Sequence, residues 1–344
     1  MKKRNINLDL IRTIAIISVI SVHFFKYNGF YGEKLVGTNM ILMTYLRTFC
    51  MICVPLFIIL SGYLMYQKKL NKKYYFRLEK IIFVYVIASL LCVLYRVIFL
   101  HKSYRITSII GLITSFKASQ HAWYMNMYFG LVLLIPFLNI LYNNLDKKQK
   151  KVLLITLFIV TILPQFINVK YKLLPNWWVN IYPLTYYFIG AYIKEYNIKL
   201  NKKLNIILLV LSIFIFGSIA LYFGYNKTFI NNSITSGWNS IQSFILSILA
   251  FILLLNLNLE KTPKFFKKCI FKISEKSFGM FLVSYIFDDF FYKYLNKYVV
   301  NTPDKIYYFI LMVFLILMYS YILSSFIDYL KKLYDILINK IKKN

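Results

Sequence analysis

Residues 8 to 26 read L-D-L-I-R-T-I-A-I-I-S-V-I-S-V-H-F-F-K, an apolar stretch interrupted by Asp9, Arg12 and His23. A helix that crosses a bilayer needs about 20 predominantly apolar residues, and this stretch is long enough. Ionisable groups inside a bilayer are costly unless they are paired or hydrated. The stretch therefore predicts a transmembrane helix that carries functional residues.

Apolar stretches of this kind recur along the whole chain. Of the 344 residues, 60% are hydrophobic and only 16% are charged, whereas soluble domains carry about 25% charged residues. We predict an all-α polytopic membrane protein with about ten transmembrane helices in one domain over residues 1–344. The predicted spans are 8–26, 40–66, 74–100, 121–142, 151–168, 177–193, 204–225, 237–258, 278–292 and 306–330. Residues 106–116 are too short to span and are predicted to be interfacial or re-entrant.

The positive charge is unevenly distributed between the predicted loops. The chain has 42 Lys and Arg against 12 Asp and Glu. If Met1 is cytoplasmic, 26 of the basic residues lie on the cytoplasmic side and 11 on the other, as the positive-inside rule requires. We therefore predict a multi-pass protein of the cell membrane with both termini cytoplasmic. The charge is explained by topology and contacts with lipid headgroups, so no nucleic-acid partner is expected.

Arg12 and His23 are predicted to lie on one face of the first helix. They are eleven residues apart, close to three turns, or roughly 16 Å along the axis. Asp9 is placed to pair with Arg12. The imidazole of His23 can take and return a proton near neutral pH, which suits a general base that acts on a hydroxyl group. An alternative is that Asp9 and Arg12 are interfacial anchors and that His23 is a histidine satisfied within the bundle.

The cysteines do not indicate a metal or disulfide site. The chain has four cysteines, too few for a disulfide scaffold. Cys50 and Cys53 form a C-x-x-C pattern inside an apolar span, which is not the context of a redox or zinc motif. We predict no metal site.

Four segments of the sequence form an ordered set of motifs. The first is the pair Arg12 and His23, separated by ten residues. The others are residues 54–64 (V-P-L-F-I-I-L-S-G-Y-L), residues 121–136, which begin H-A-W-Y-M, and residues 183–192, which end F-I-G-A-Y. In this order they resemble the acyltransferase-3 family of integral membrane acyltransferases, and the resemblance covers nearly the whole chain. It is greatest to the branch of the family that O-acylates surface polysaccharides.

This resemblance implies a membrane enzyme that transfers acyl groups other than amino-acyl groups. In the family, an acyl group, usually acetyl, moves from cytoplasmic acyl-CoA to carbohydrate hydroxyls on or facing the outer side. The acyl-CoA is a cosubstrate, and no bound cofactor is expected. Expected partners are the carbohydrate acceptor, membrane lipids and proteins of polysaccharide biosynthesis. An alternative is an exporter of a polysaccharide or lipid-linked intermediate, which also has many spans and a few buried charges.

The resemblance also assigns candidate site residues. Arg12 and His23 match the positions that the family holds essential, and they are the predicted catalytic residues. The predicted substrate-binding residues are Asp9, Arg77, Lys80, His121 and Trp123. For His121 and Trp123, an interfacial aromatic belt is the alternative.

Two positions depart from the family pattern. Lys80 replaces the second arginine of an R-x-x-R pattern, which keeps the charge but loses the bidentate guanidinium. Ser284 stands where the family often has histidine, so the role of that histidine cannot be transferred to this chain.

Overall fold

The computed structural model describes residues 4–76, 78–168, 171–228 and 234–341, which are mostly helical. The helices are α1 (Ile6–Tyr27), α2 (Thr38–Cys50), α3 (Cys53–Met65), α4 (Lys72–Phe76), α5 (Leu78–Phe99), α6 (Ile106–Thr114), α7 (Trp123–Asn143), α8 (Lys147–Thr161), α9 (Leu163–Ile167), α10 (Tyr182–Glu195), α11 (Lys202–Gly224), α12 (Ile241–Leu255), α13 (Lys264–Tyr298) and α14 (Phe309–Ile341). Three short 3-10 helices, Phe30–Gly32, Trp177–Ile181 and Pro303–Tyr308, lie between them. Within the described ranges there is no β-strand beyond two isolated bridges, which join the segment after α1 to the segment after α11. The all-α prediction is confirmed.

Seven helical segments of the described residues are long and apolar enough to cross a membrane. They are built on α1, α2 with α3, α5, α7, α8, α11 and α14. The other three predicted spans are also helical but differ from these seven in length or in charge. The helices α10 and α12 have 14 and 15 residues, shorter than the bilayer core requires, whereas α13 has 35 residues and carries many charges. The number ten and the cytoplasmic location of the termini therefore remain predictions. The nine-residue α6 covers the segment predicted to be too short to span.

Helix α1 lies at the centre of the bundle. It packs against α2, α3, α12, α13 and α14. Ile11, Ala15, Ile16 and Ile20 are fully buried in these contacts. The polar side chains of α1 therefore lie beside protein neighbours, where ionisable groups in a bilayer are normally found.

The helices α3 and α10 approach each other closely through two glycines. A Cβ atom added to Gly62 would lie 1.8 Å from the carbonyl oxygen of Tyr187, and one added to Gly190 would lie 1.9 Å from that of Ile59. Only glycine fits at both positions. Small residues at such crossings let helix backbones meet in membranes, where close packing drives association.

The outward face of α11 is apolar. Ile207, Val210 and Phe214 are each 60% exposed, although they lie in the middle of a 23-residue helix. A large exposed apolar face is unusual for a protein in water, and it matches the face that a transmembrane helix presents to lipid.

Candidate functional site

His23 of α1 meets Asp288 of α13 inside the bundle. The Nδ1 atom of His23 lies 2.9 Å from Oδ2 of Asp288. The Asp288 side chain is fully buried, whereas that of His23 is 13% exposed. A buried carboxylate is costly unless it has charged or hydrogen-bonding partners. The packing of α1 against α13 thus places an acid beside the predicted catalytic histidine.

A second histidine completes this cluster. His121, just before α7, stacks on His23 with ring centroids 3.7 Å apart and planes inclined by 21°. Its Nε2 atom lies 3.5 Å from the same Oδ2 of Asp288, and its Nδ1 atom lies 3.3 Å from the Ser284 hydroxyl. His121 is buried, unlike a residue of an interfacial belt. Ser284 therefore contacts a histidine of another segment.

His23, His121 and Asp288 lie close enough to be considered as metal ligands. Their nitrogen and oxygen atoms all lie within 4.8 Å of one another. However, an imidazole binds a metal through a lone pair in the plane of its ring, and these two rings are stacked and nearly parallel. Stacked rings are a poor arrangement for two in-plane lone pairs to meet at one ion. Because a nitrogen of each ring faces Oδ2 of Asp288, the arrangement favours proton exchange with this carboxylate over metal binding.

The contact with Asp288 distinguishes the two nitrogens of His23. A carboxylate beside Nδ1 stabilises the tautomer that carries its proton there, which leaves Nε2 with a free lone pair. The Nε2 atom can then accept a proton from a substrate hydroxyl. The arrangement is that of a general base oriented by an acid.

His23 lines a small cavity, which we call the His23 cavity, of about 150 Å³. Its lining consists of Val19, Val22, His23, Lys26, Cys53, Val54, Gln120, His121, Trp123, Trp238 and Phe281. Trp123 stacks on Trp238 with ring centroids 6.1 Å apart and an angle of 11°, and it remains 41% exposed. Trp177 and Trp178 are more exposed still and do not line this cavity. Cys53 is a free thiol, as is Cys50.

Arg12 lines a different and larger cavity, which we call the Arg12 cavity, of about 550 Å³. Its lining consists of Arg12, Phe57, Leu60, Ser61, Leu64, Met65, Lys68, Lys80, Ile81, Val84, Tyr124, Tyr128, Glu275, Ser277, Phe278 and Phe281. The three basic side chains are Arg12, Lys68 and Lys80. The predicted binding residue Lys80 thus lines the same cavity as Arg12, whereas Arg77 lies outside the described residues.

Asp9 lies one turn before Arg12 on α1 and has hydrogen-bond partners of its own. Its carboxylate accepts two hydrogen bonds from Arg4, at 2.6 and 2.8 Å, and one from the Ser274 hydroxyl at 2.7 Å. Arg12 is a more distant partner at 3.6 Å. The hydrogen bonds from Arg4 raise the pKa of its guanidinium group. Asp9 is buried and does not line the Arg12 cavity, so its geometry suits positioning of α1 rather than contact with a substrate.

Sequence reasoning brought only part of this site together. It placed Arg12 and His23 on one helix face but did not foresee that they line separate cavities. It also assigned no role to Asp288. The signal was present, because an acidic residue within the apolar run 278–292 is as costly in a bilayer as His23. A role for Asp288 could be assigned only from the packing of α13 against α1, which places its carboxylate beside His23.

One of three comparisons with known proteins identifies a family for this chain. A family model described as an acyltransferase domain, of the acyltransferase-3 family, matches residues 5–327. The matched region contains the buried cluster and the lining residues of both cavities. The comparisons with curated proteins and with solved structures gave no match.

Proposed function

Because the chain belongs to the acyltransferase-3 family, we propose that it is a membrane O-acyltransferase of the cell envelope. It moves an acyl group, with acetyl as the first candidate, from cytoplasmic acyl-CoA to a hydroxyl of an extracytoplasmic surface polysaccharide or its lipid-linked precursor. The observation that carries this proposal is the contact between His23 and Asp288 beside a cavity. This contact supplies an oriented base where a hydroxyl can be bound.

The Arg12 cavity is proposed to bind the acyl donor. Arg12, Lys68 and Lys80 offer positive charge to the phosphates of acyl-CoA, and charge-assisted hydrogen bonds to phosphate are strong. Arg77 is proposed to contribute to donor binding on the basis of the sequence alone. The walls formed by Phe57, Leu60 and other apolar residues suit the less polar pantetheine arm. The volume lies within the range of about 300–1,000 Å³ that small-molecule sites occupy.

The His23 cavity is proposed to bind the acceptor hydroxyl. Trp123 and Trp238 offer stacked aromatic faces at this cavity, and Gln120 and Lys26 offer polar groups for hydroxyls. The acceptor itself is larger than the cavity, so one sugar unit enters while the rest stays outside. Proteins that assemble the polysaccharide in the same membrane would supply this acceptor.

The proposed reaction is a direct transfer. The Nε2 atom of His23 takes the proton of the acceptor hydroxyl while the hydroxyl oxygen attacks the thioester carbonyl carbon. The new C–O ester bond forms, the C–S bond breaks, and the CoA thiolate leaves and takes up the proton that His23 holds. Asp288 stabilises the imidazolium in between. His121 packs on the His23 ring and contacts the same carboxylate, so it acts as a positioning residue.

Membrane vesicles test this proposal directly. Inverted vesicles from a null strain that expresses the wild-type protein are supplied with radiolabelled acetyl-CoA, and alkali-labile label in the glycan fraction is measured. We expect label in wild-type vesicles and only background in vesicles with the His23→Gln variant. Equal label in vesicles without the protein would overturn the proposal. Normal acylation together with lost glycan export in the null strain would indicate an exporter instead.

A further inference from the structure

Phe281 of α13 lies between the two cavities. It is the one described residue that lines both the Arg12 cavity and the His23 cavity, and it is only 5% exposed. Its ring centroid lies 5.0 Å from that of Tyr124, which lines the Arg12 cavity, and 6.2 Å from that of His121, which lines the His23 cavity. The ring thus fills the boundary between the two spaces.

The backbone of Phe281 is linked to the histidine cluster. Its carbonyl oxygen accepts a hydrogen bond of 3.0 Å from the Ser284 hydroxyl, and the same hydroxyl lies 3.3 Å from Nδ1 of His121. The helix turn that carries the Phe281 ring is therefore held in register with His121. The side chain, in contrast, is an apolar ring among other rings and can change rotamer without breaking a hydrogen bond.

We propose that the Phe281 side chain is a movable partition that must swing aside for the acyl thioester to reach His23, and that its size limits the acyl groups transferred. This inference rests on the proposed function, because it treats the Arg12 cavity as the donor site and the His23 cavity as the acceptor site. In the observed position the ring separates the basic donor residues from the base. An acyl group longer than acetyl needs a larger displacement of the ring.

A closed partition has a second consequence. An apolar ring that fills the boundary keeps water from connecting the two cavities, and exclusion of water limits hydrolysis of a reactive thioester. Removal of the ring should therefore widen the acyl range and open a continuous path between the cavities. These two effects can be measured separately.

The acyl range is measured as the ratio of butyryl to acetyl transfer from the two CoA thioesters. We expect Phe281→Ala to raise this ratio by about ten-fold or more, since one or two methylene groups commonly change discrimination by that factor. Phe281→Trp should lower the ratio. Phe278→Ala is the matched control, because Phe278 lines only the Arg12 cavity. An unchanged ratio in both Phe281 variants, or an equal rise in Phe278→Ala, would overturn the inference.

Access from one cavity to the other is measured by the rate of thiol labelling, which does not require acyl transfer. A thiol is introduced by Ser61→Cys in the Arg12 cavity, with Cys53→Ala to remove the thiol of the His23 cavity. A small, membrane-impermeant methanethiosulfonate reagent is added from the extracytoplasmic side, and the parent with Ser61 intact gives the background. We expect Phe281→Ala to speed labelling by an order of magnitude and Phe278→Ala to leave it unchanged.

The two measurements separate the inference from the proposed function. If wild-type protein transfers no acyl group but labelling still depends on Phe281, the proposed function is wrong and so is the role of Phe281 in acyl selection, whereas its role as a barrier between the two cavities stands. If acyl transfer occurs but Phe281→Ala changes neither labelling nor the acyl ratio, the partition is wrong and the function stands.

Discussion

The Nδ1 atom of His23 lies 2.9 Å from Oδ2 of the buried Asp288, which joins the first helix of the chain to α13. This contact makes the two nitrogens of the His23 ring chemically different. The Asp288 carboxylate beside Nδ1 favours the tautomer that carries its proton on Nδ1, which leaves Nε2 for the acceptor hydroxyl. It also explains why both ionisable groups are tolerated among apolar helices, since each is the partner of the other.

Replacement of Asp288 by asparagine should impair chemistry more than binding. The amide keeps the shape of the side chain but removes the charge that stabilises the imidazolium, so we expect kcat to fall about 100-fold or more with little change in the KM for acyl-CoA. Transfer of radiolabelled acetyl in vesicles measures both constants.

The adjacent acid provides the control for this prediction. Asp289 accepts a hydrogen bond of 2.7 Å from the Tyr95 hydroxyl and does not contact His23. Asp289→Asn should therefore leave kcat within a few-fold of wild type. Equal losses in the two variants would show that Asp288 has no special role in the reaction.

Loss of the Arg12 guanidinium should weaken binding of the donor phosphates. A hydrogen bond to a charged group contributes about 1.5–3 kcal/mol, so Arg12→Ala should raise the KM for acetyl-CoA by about 10- to 100-fold. Arg12→Lys should keep part of the affinity. Acetyl-pantetheine, which lacks the phosphates, should be used equally by wild type and Arg12→Ala. If the variant were equally defective with both donors, a role in phosphate binding would be excluded.

The crossing of α3 and α10 should not tolerate a methyl group. A Cβ atom on Gly190 would lie 1.9 Å from the carbonyl oxygen of Ile59, so Gly190→Ala should destabilise the protein by about 1–3 kcal/mol, as overpacking does. The thermal midpoint in detergent measures the effect. Gly130 of α7 has nothing within 4 Å of an added Cβ atom, so Gly130→Ala should leave the midpoint unchanged or raise it. An unchanged thermal midpoint in Gly190→Ala would contradict the close packing of α3 against α10.

Removal of metal ions should not affect transfer. The stacked rings of His23 and His121 are poorly arranged to direct both in-plane lone pairs at one ion, so treatment with EDTA should leave acetyl transfer in vesicles unchanged. Activity that is lost with EDTA and restored by zinc would mean that the cluster rearranges to bind a metal.

The first helix shows what the sequence could predict. His23 and Arg12 were found because single ionisable residues stand out within an apolar stretch, and the helical period placed them on one face. Their separation into two cavities could not be predicted, because the cavities are lined by side chains from other helices, among them Phe281 from α13. The packing of α1 against α13 likewise gives Asp288 its role. A contact between distant segments leaves no periodic signal in either segment.

The spans were predictable to different degrees for a similar reason. The apolar runs of α1, α7 and α11 are long enough to identify a span by themselves. The helices α10 and α12 are short, and α13 mixes charged and apolar turns, so their relation to a bilayer depends on their neighbours.

The most direct test of the account compares acyl esters on the cell-surface polysaccharide by NMR before and after mild alkali treatment. A null strain is complemented with wild type, His23→Ala or His101→Ala. His101 is an exposed histidine in the loop after α5, and its replacement controls for the loss of an imidazole. We expect alkali-labile esters with wild type and His101→Ala, and none with His23→Ala at equal protein level in the membrane. Esters restored by His23→Ala would contradict the catalytic role of His23.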